Sequence, residues 1–336
     1  MKKIRIAQIG INYLSHSTHI FDTLKWNPDI FEVAGYCLVE DERSLGYDKL
    51  KHMEGYKELT LEEILNDPTI EAVTVETDEI HLNKYALMAA KAGKHIHMEK
   101  PGSQDLESFT QLIEAMRESG KVFHLGYMYR YHPYVAQAIE RAKKGEFGHI
   151  YCVEALMGRL DDCTERAWLK TFKGGMMFYL GCHLIDIVVQ LQGIPTDVVP
   201  LNYATGIGGV ESEDFGFALL RYPHAVSQVR MAATEIGGVK RRQLVVCGEK
   251  ETLEINPLEM TVKGPKYLVR AEQRHATLDA EGKTVWAEES LEPFPRYEEM
   301  LHSFAAMVRG EKENPWTLDY ELALFKVILR CCGIEC

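Results

Sequence analysis

Five short apolar runs punctuate the first 126 residues: Ile4–Ile9, Val33–Val39, Ala72–Glu76, His95–Met98 and Val122–Gly126. Between them, apolar positions recur every three or four residues, the spacing of a helix with one buried face. The pattern predicts helices starting near Ser15 or Ser17, at Thr60, at Asp78 and at Asp105. Thr60-Leu61-Glu62-Glu63 has capping-box spacing, and Asp78 and Asp105 stand where side-chain caps belong. The third helix closes after Ala92 at Gly93 and the fourth at Gly120, as glycine stops do. Short strands alternating with helices predict a parallel, doubly wound α/β sheet. A further helix is predicted over Tyr134–Lys144.

Past residue 148 the texture changes. Strand-like runs follow with few helices between them: His149–Met157, Val198–Ala204, Phe215–Arg221, Val226–Ala232 and Gln243–Val246. Tyr222-Pro223-His224 reads as the turn of a hairpin. Leu253–Ile255, Met260–Val262, Tyr267–Ala271 and Thr284–Ala287 continue the style. Gly181–Leu191 interrupts with a helical pattern, and Tyr297–Arg309 and Tyr320–Cys332 close the chain as helices. We expect two domains, 1–126 with the parallel sheet and 127–336 as α+β with a large, mostly antiparallel open sheet. The C-terminal helices are expected to pack back on the first domain.

Composition narrows the function classes. The 336 residues are 46% hydrophobic and 26% charged, an ordinary globular mixture. No apolar run reaches the roughly eighteen residues of a membrane span. A net charge of −12 argues against a nucleic-acid partner. The eight cysteines are scattered, without a CxxC pair, and MKKIRIAQIG lacks the apolar core of a signal peptide. A reducing cytoplasm is the expected compartment.

The candidate chemistry centres on Gly93–Pro101, GKHIHMEKP. Ligands of open α/β sheets bind beyond the carboxyl ends of the strands, where Lys100 stands. Pro101 biases Lys100 towards an extended backbone. Glu99 is its neighbour, but strand alternation is expected to turn the two side chains apart. The first strand runs into Gly10-Ile11-Asn12-Tyr13-Leu14-Ser15, where a pyrophosphate would sit. Of G-x-G-x-x-G only the first glycine survives. Asn12 tolerates positive φ, and Ser15 is small enough for helix packing. Glu40 is the candidate for the adenosine ribose, two residues beyond the expected place. His95 and His97 alternate along a strand with no third ligand at a recognisable spacing, so no metal site is expected.

With these segments in hand, the chain resembles the glucose–fructose oxidoreductase / inositol dehydrogenase (Gfo/Idh/MocA) family. The resemblance runs through Val73–His81, with Thr77 and His81 in place and Asp78 where the family has proline. It continues through Ala89–Pro101, Gly126–Pro133 (GYMYRYHP), Arg166-Ala167-Trp168 with Gly174-Gly175, and Leu180–Gly193 (LGCHLIDIVVQLQG). It implies a Rossmann domain, an open sheet that often forms an oligomer interface, and NAD or NADP used on an alcohol of a sugar or polyol. A homodimer or homotetramer is the assembly it implies. Lys100 matches the family's catalytic lysine and His183 its acid/base histidine. Asp186 is a usual family position, and Tyr179 stands where many members have aspartate. Gly10, Ile11, Asn12, Glu40, Thr77, His81, Glu99, Lys100, Arg166 and Trp168 are the expected cofactor contacts. Arg130, Trp168, Tyr179 and His183 are the expected substrate contacts.

Hydride transfer needs a base for the hydroxyl proton, which suits His183, and a group at the developing alkoxide, which suits Lys100. His183 and Asp186, three apart on a helix, share a face, so Asp186 either orients the imidazole, meets a substrate hydroxyl or plays a structural part. Arg130 either binds substrate or braces a domain. NAD is preferred slightly over NADP, since Arg43 is the one arginine near the second strand's end. A redox-neutral enzyme holding its nicotinamide tightly, and a non-catalytic binding protein, are the alternatives.

Overall fold

The computed structural model describes residues 2–12, 14–44, 47–264 and 266–336, with the backbone alone at Tyr47; Tyr13 of the glycine loop lies outside them. The chain divides into two compact units, Met1–Met128 with Tyr297–Leu322, and Tyr129–Arg296 with Ala323–Cys336.

The first unit holds β1 (Ile4–Ile9), β2 (Phe31–Cys37), β3 (Ala72–Val75), β4 (His95–Met98) and β5 (Phe123–Leu125) in the order β2-β1-β3-β4-β5, all parallel. Helices cover both faces of such a sheet, so its inner strands are buried on both sides. Ile6, Ala7, Ile9, Val73 and Val75 are accordingly sealed off. The helices are α1 (Ser17–Trp26), the single turn α2 (Tyr47–Leu50), α3 (Leu61–Asn66), α4 (Leu82–Lys91) and α5 (Leu106–Ser119). Thr60 and Glu63 form the expected capping box on α3, and Asp105 accepts from the Glu107 amide to start α5. Asp78 does not cap α4. A turn over Glu79–His81 intervenes, with Asp78 before it and His81 at the α4 N-cap, because the chain tightens before it reaches helical pitch.

In the second unit β6 (Ile150–Gly158), β7 (Asp197–Pro200), β8 (Phe215–Tyr222), β9 (Ala225–Ala232), β10 (Gln243–Gly248) and β11 (Thr252–Ile255) belong to one sheet. Short β12 (Met260–Thr261), β13 (Leu268–Arg270) and, later, β16 (Phe294–Pro295) form a separate small sheet. The hairpin of β14 (Glu272–Leu278) and β15 (Thr284–Ser290) completes the large one. Its order is β15-β14-β11-β10-β6-β9-β8-β7, antiparallel except where β6 meets β9. α6 (Pro133–Lys143) packs on α8 (Cys182–Gln192), which lies on β6 and β9, while α7 (Cys163–Trp168) stands earlier. α9 (Glu298–Val308) returns to the first unit, and α10 (Leu318–Cys331) carries the chain back into the second. Gly174, at φ +81°, has no room for a side chain: a Cβ there would meet Cys332 Cβ at 2.6 Å.

Among the described residues no helix is long and apolar enough to cross a membrane, and no cluster of His, Cys, Asp or Glu could hold a metal ion. All eight cysteines are free.

Candidate active site

The first unit gathers its chemistry where β1, β3 and β4 end. Gly10 turns at φ +84° because a Cβ there would meet Glu42 Oε1 at 2.8 Å and the Thr77 Cα at 3.0 Å. The loop that follows is held by side chains rather than by more glycines. Asn12 Oδ1 accepts from the amides of Leu14 (2.8 Å) and Ser15 (3.1 Å). Its amide nitrogen donates to Glu79 Oε2 (2.9 Å) and the Thr77 carbonyl (3.2 Å). Lys49, from α2, donates to the Asn12 carbonyl. Glu42 accepts from the Val39 amide at 2.9 Å. Ile11 packs into a small core with Phe21 and Met53.

Glu40, at φ +48° beyond β2, is fixed by Lys84 Nζ (2.6 Å) and Tyr85 Oη (2.7 Å), with His81 Nδ1 at 3.8 Å. The hydrogen bond from Lys84 holds its carboxyl below the usual range. Arg43 pairs with Glu58 instead.

Lys100 is 1% exposed, and its ammonium lies 3.3 Å from Glu99 Oε1. The expectation that the two side chains diverge therefore fails. Both residues follow the last paired residue of β4, Met98, where strand alternation no longer applies. Glu99 also leans over Gly126, whose Cβ would come within 3.3 Å of Glu99 Oε2. Beneath them runs a buried polar row in strict register, Gln8, Thr74, His97 and His124. His97 and His124 share a contact of 2.7 Å between their Nδ1 atoms, and burial lowers His97 to about 3, so its ring is neutral.

Three further acids line this end of the sheet, none foreseen from the sequence. Burial pushes Glu42 up to about 8 and Glu79 up to about 7, and it drives Glu76 well above the carboxylate range. Lys49 falls to about 8 for the same reason, against the pull of Asp78 and Glu79. A residue's burial beyond a strand end depends on what the next turn brings over it, and no local pattern encodes that.

In the second unit a wide π-type turn, Met177–Gly181, precedes α8 and presents Tyr179. The Tyr179 ring stands edge-on to Trp168 at 5.0 Å. His183, 2% exposed, lies in the first turn of α8 with the Tyr129 ring edge-on at 5.4 Å. Asp186 receives both prongs of Arg130, Nε at 3.0 Å and Nη2 at 2.9 Å, and the Gln190 amide at 2.9 Å. Arg166 is held by Asp214 and the Ile207 carbonyl, each at 2.9 Å. The two arginines are thus engaged by partners of their own unit.

The oxidoreductase family with an NAD-binding Rossmann fold matches residues 4–127, and the GFO/IDH/MocA C-terminal domain matches residues 135–254. The chain belongs to the Gfo/Idh/MocA oxidoreductase family. It is 36% identical over 271 residues to scyllo-inositol 2-dehydrogenase (NAD(+)) of Bacillus subtilis, covering 78% of this chain and 74% of that one. It is 25% identical over 315 residues to 1,5-anhydro-D-fructose reductase of Ensifer adhaerens, covering 88% of each. The structure of a levoglucosan dehydrogenase, in complex with NADH and levoglucosan, superposes with a TM-score of 0.76 at 18% identity, over 99% of this chain and 98% of that one. This Gfo/Idh/MocA member is an NAD(P)-dependent oxidoreductase, and sugar and polyol dehydrogenases are among its homologues.

The loop of this family member fits a dinucleotide. Gly10, pressed by Thr77 and Glu42, lets the chain turn sharply from β1 towards α1. The Ser15 hydroxyl is buried with no hydrogen-bond partner among the described residues. α1 begins with no side-chain cap on its first amides, the arrangement that receives a phosphate. With Glu76, Glu79 and Glu42 all pushed upward, the surrounding acids lose most of their charge on the acid side of neutrality.

Proposed function

We propose that this protein transfers hydride between NAD and a secondary alcohol of a sugar or polyol. The observation that carries the reading is Lys100, a buried ammonium at the carboxyl end of β4 with the Glu99 carboxylate against it, in the unit that belongs to an NAD-binding family. The bound nicotinamide supplies the hydride acceptor or donor. Lys100 steadies the alkoxide that develops as hydride leaves, and His183 takes or returns the hydroxyl proton. Trp168 and Tyr179 give the second unit an apolar wall that suits the C–H face of a sugar ring. Arg130 braces Asp186, and through it the helix that carries His183. Purified protein with NAD and scyllo-inositol, then with a panel of sugars and polyols, is expected to raise absorbance at the reduced-nicotinamide band. Silence across the panel with both NAD and NADP defeats the reading.

NAD is the proposed partner rather than NADP, because Glu40 places a fixed carboxylate where an adenosine ribose would be held. A second phosphate on that ribose would meet like charge. Glu40→Ala is expected to narrow the preference for NAD about tenfold. Measured kcat/KM for the two cofactors decides it, and an unchanged ratio removes Glu40 from the specificity site.

Assembly through the open face of the large sheet, as a homodimer or homotetramer, belongs to the same reading. Leu156 on β6, and Phe217 and Leu219 on β8, lie half-buried there on either side of β9. Sedimentation velocity is expected to return a dimer or larger, and a monomer at micromolar concentration rejects the assembly.

A further inference from the structure

β3 and β4 end in register, Val75 opposite Met98, and the Glu99 amide donates to the Val75 carbonyl at 2.9 Å. Glu76 and Glu99 therefore leave the sheet side by side. Glu76 has no exposed surface, and neither of its carboxyl oxygens has a hydrogen-bond partner among the described residues. His97 Nε2 lies 3.8 Å from Glu76 Oε1. That imidazole is neutral, with its other nitrogen on His124. The ammonium at this end of β4 lies on Glu99. Two buried carboxyls beside one ammonium do not both ionise, because the second charge would be neither hydrated nor paired.

We propose that Glu76 is a positioning residue for Lys100: it stands beside Glu99 as an un-ionised acid and so keeps the lysine matched to one carboxylate. Once Glu76 ionises, Lys100 faces a second negative charge. It is then a weaker electrostatic support for an alkoxide, and turnover falls. Burial holds the Glu76 proton well above the carboxylate range, the Glu99 charge adds to this, and Lys100 opposes it. The other charged groups around Glu76 are Glu79, on the turn after β3, and Lys49, on α2. Glu79 acts in the same sense as Glu99, and Lys49 opposes it.

The role assigned to Lys100 rests on the proposed function, but the state of Glu76 is read without substrate. Infrared spectra of the nucleotide-free protein near neutral pH are expected to show a carbonyl band of un-ionised carboxylic acids, to which Glu42 and Glu79 also contribute, that loses one component in Glu76→Gln, and that component persists in Glu79→Gln. In Lys100→Met that component should survive to higher pH, since the opposing ammonium is gone. Urea unfolding supplies a second measurement. The folded state keeps the Glu76 proton while the unfolded chain releases it, so stability falls as pH rises from the unfolded value towards the folded one. The folded-to-unfolded ratio of the wild type should drop relative to Glu76→Gln by about tenfold per pH unit above roughly pH 5. With a polyol that turns over, the alkaline limb of kcat should move upward in Glu76→Gln at unchanged KM. A carbonyl band undiminished in Glu76→Gln, a stability ratio independent of pH, or an alkaline limb that overlays the wild type would each overturn the proposal. A panel with no substrate sinks the proposed function alone, leaving the infrared and unfolding results to decide Glu76.

Discussion

Lys100→Met is expected to lower kcat by roughly a thousandfold, within the range for losing a positioned charge or proton carrier at the reacting atoms. NADH binding, followed by fluorescence, should weaken far less, since the loop at Gly10, Asn12 and Ser15 does not depend on the ammonium. The same substitution strips Glu99 of its charge partner where the two side chains are 2% and 4% exposed. Removing the charge partner of a buried carboxylate costs about 3–5 kcal/mol, so the single variant should also unfold at lower urea. Glu99→Gln combined with Lys100→Met removes both charges and should recover most of that stability while turnover stays low. This split separates a catalytic lysine from a structural one. Turnover in Lys100→Met within a factor of a few of the wild type would deny the lysine its role, whatever happens to stability.

Much of this unit was legible because its signals are local. Ile4–Ile9 and His95–Met98 are bounded by the residues that the apolar pattern chose. Thr60 with Glu63, and Asp105, cap the helices their spacing announced. The order of motifs, from Gly10 through EKP to the helix carrying His183, was enough to expect a Gfo/Idh/MocA protein. The missing strand is instructive. Glu272–Leu278 is a seven-residue strand with one buried residue, paired to β15, on which every position is exposed. An outlying hairpin of that kind has no core to face, so it carries no alternation to read.

The site was legible in its named residues and opaque in its contacts. Lys100 and Glu99 were expected to part, yet the strand ends one residue before them and the rule with it. Glu42, Glu76 and Glu79 look in the sequence like ordinary solvated acids. In the fold, the turn at Gly10 packs against Glu42 and Thr77, Asn12 ties that loop to Glu79, and all three acids are buried. Where the family fingerprint has further glycines, this chain uses an asparagine and buried acids to hold the turn. The substitution is invisible to a motif and plain in the hydrogen bonds. Arg130 and Asp186 show the same limit at longer range. Fifty-six residues separate them, and each had its own candidate role.

Breaking that pair is the second large effect. Arg130 and Asp186 meet through two hydrogen bonds with both side chains 1% exposed. Asp186→Leu leaves a guanidinium buried without its carboxylate, and Arg130→Met leaves the carboxylate without its guanidinium. Each single variant is expected to lose about 3–5 kcal/mol, read as a drop in the urea midpoint. The double variant replaces two charges with two apolar groups of similar length. It should be far more stable than the sum of the singles, because neither charge is left stranded. Activity should separate from stability. Asp186 sits one turn beyond His183 on α8, and the pair anchors that turn to the segment preceding α6. In the double variant kcat should therefore stay depressed although the fold returns, with KM for NAD little changed. Singles as stable as the wild type, or a double that simply adds their losses, would mean that the pair does not hold the helix in place.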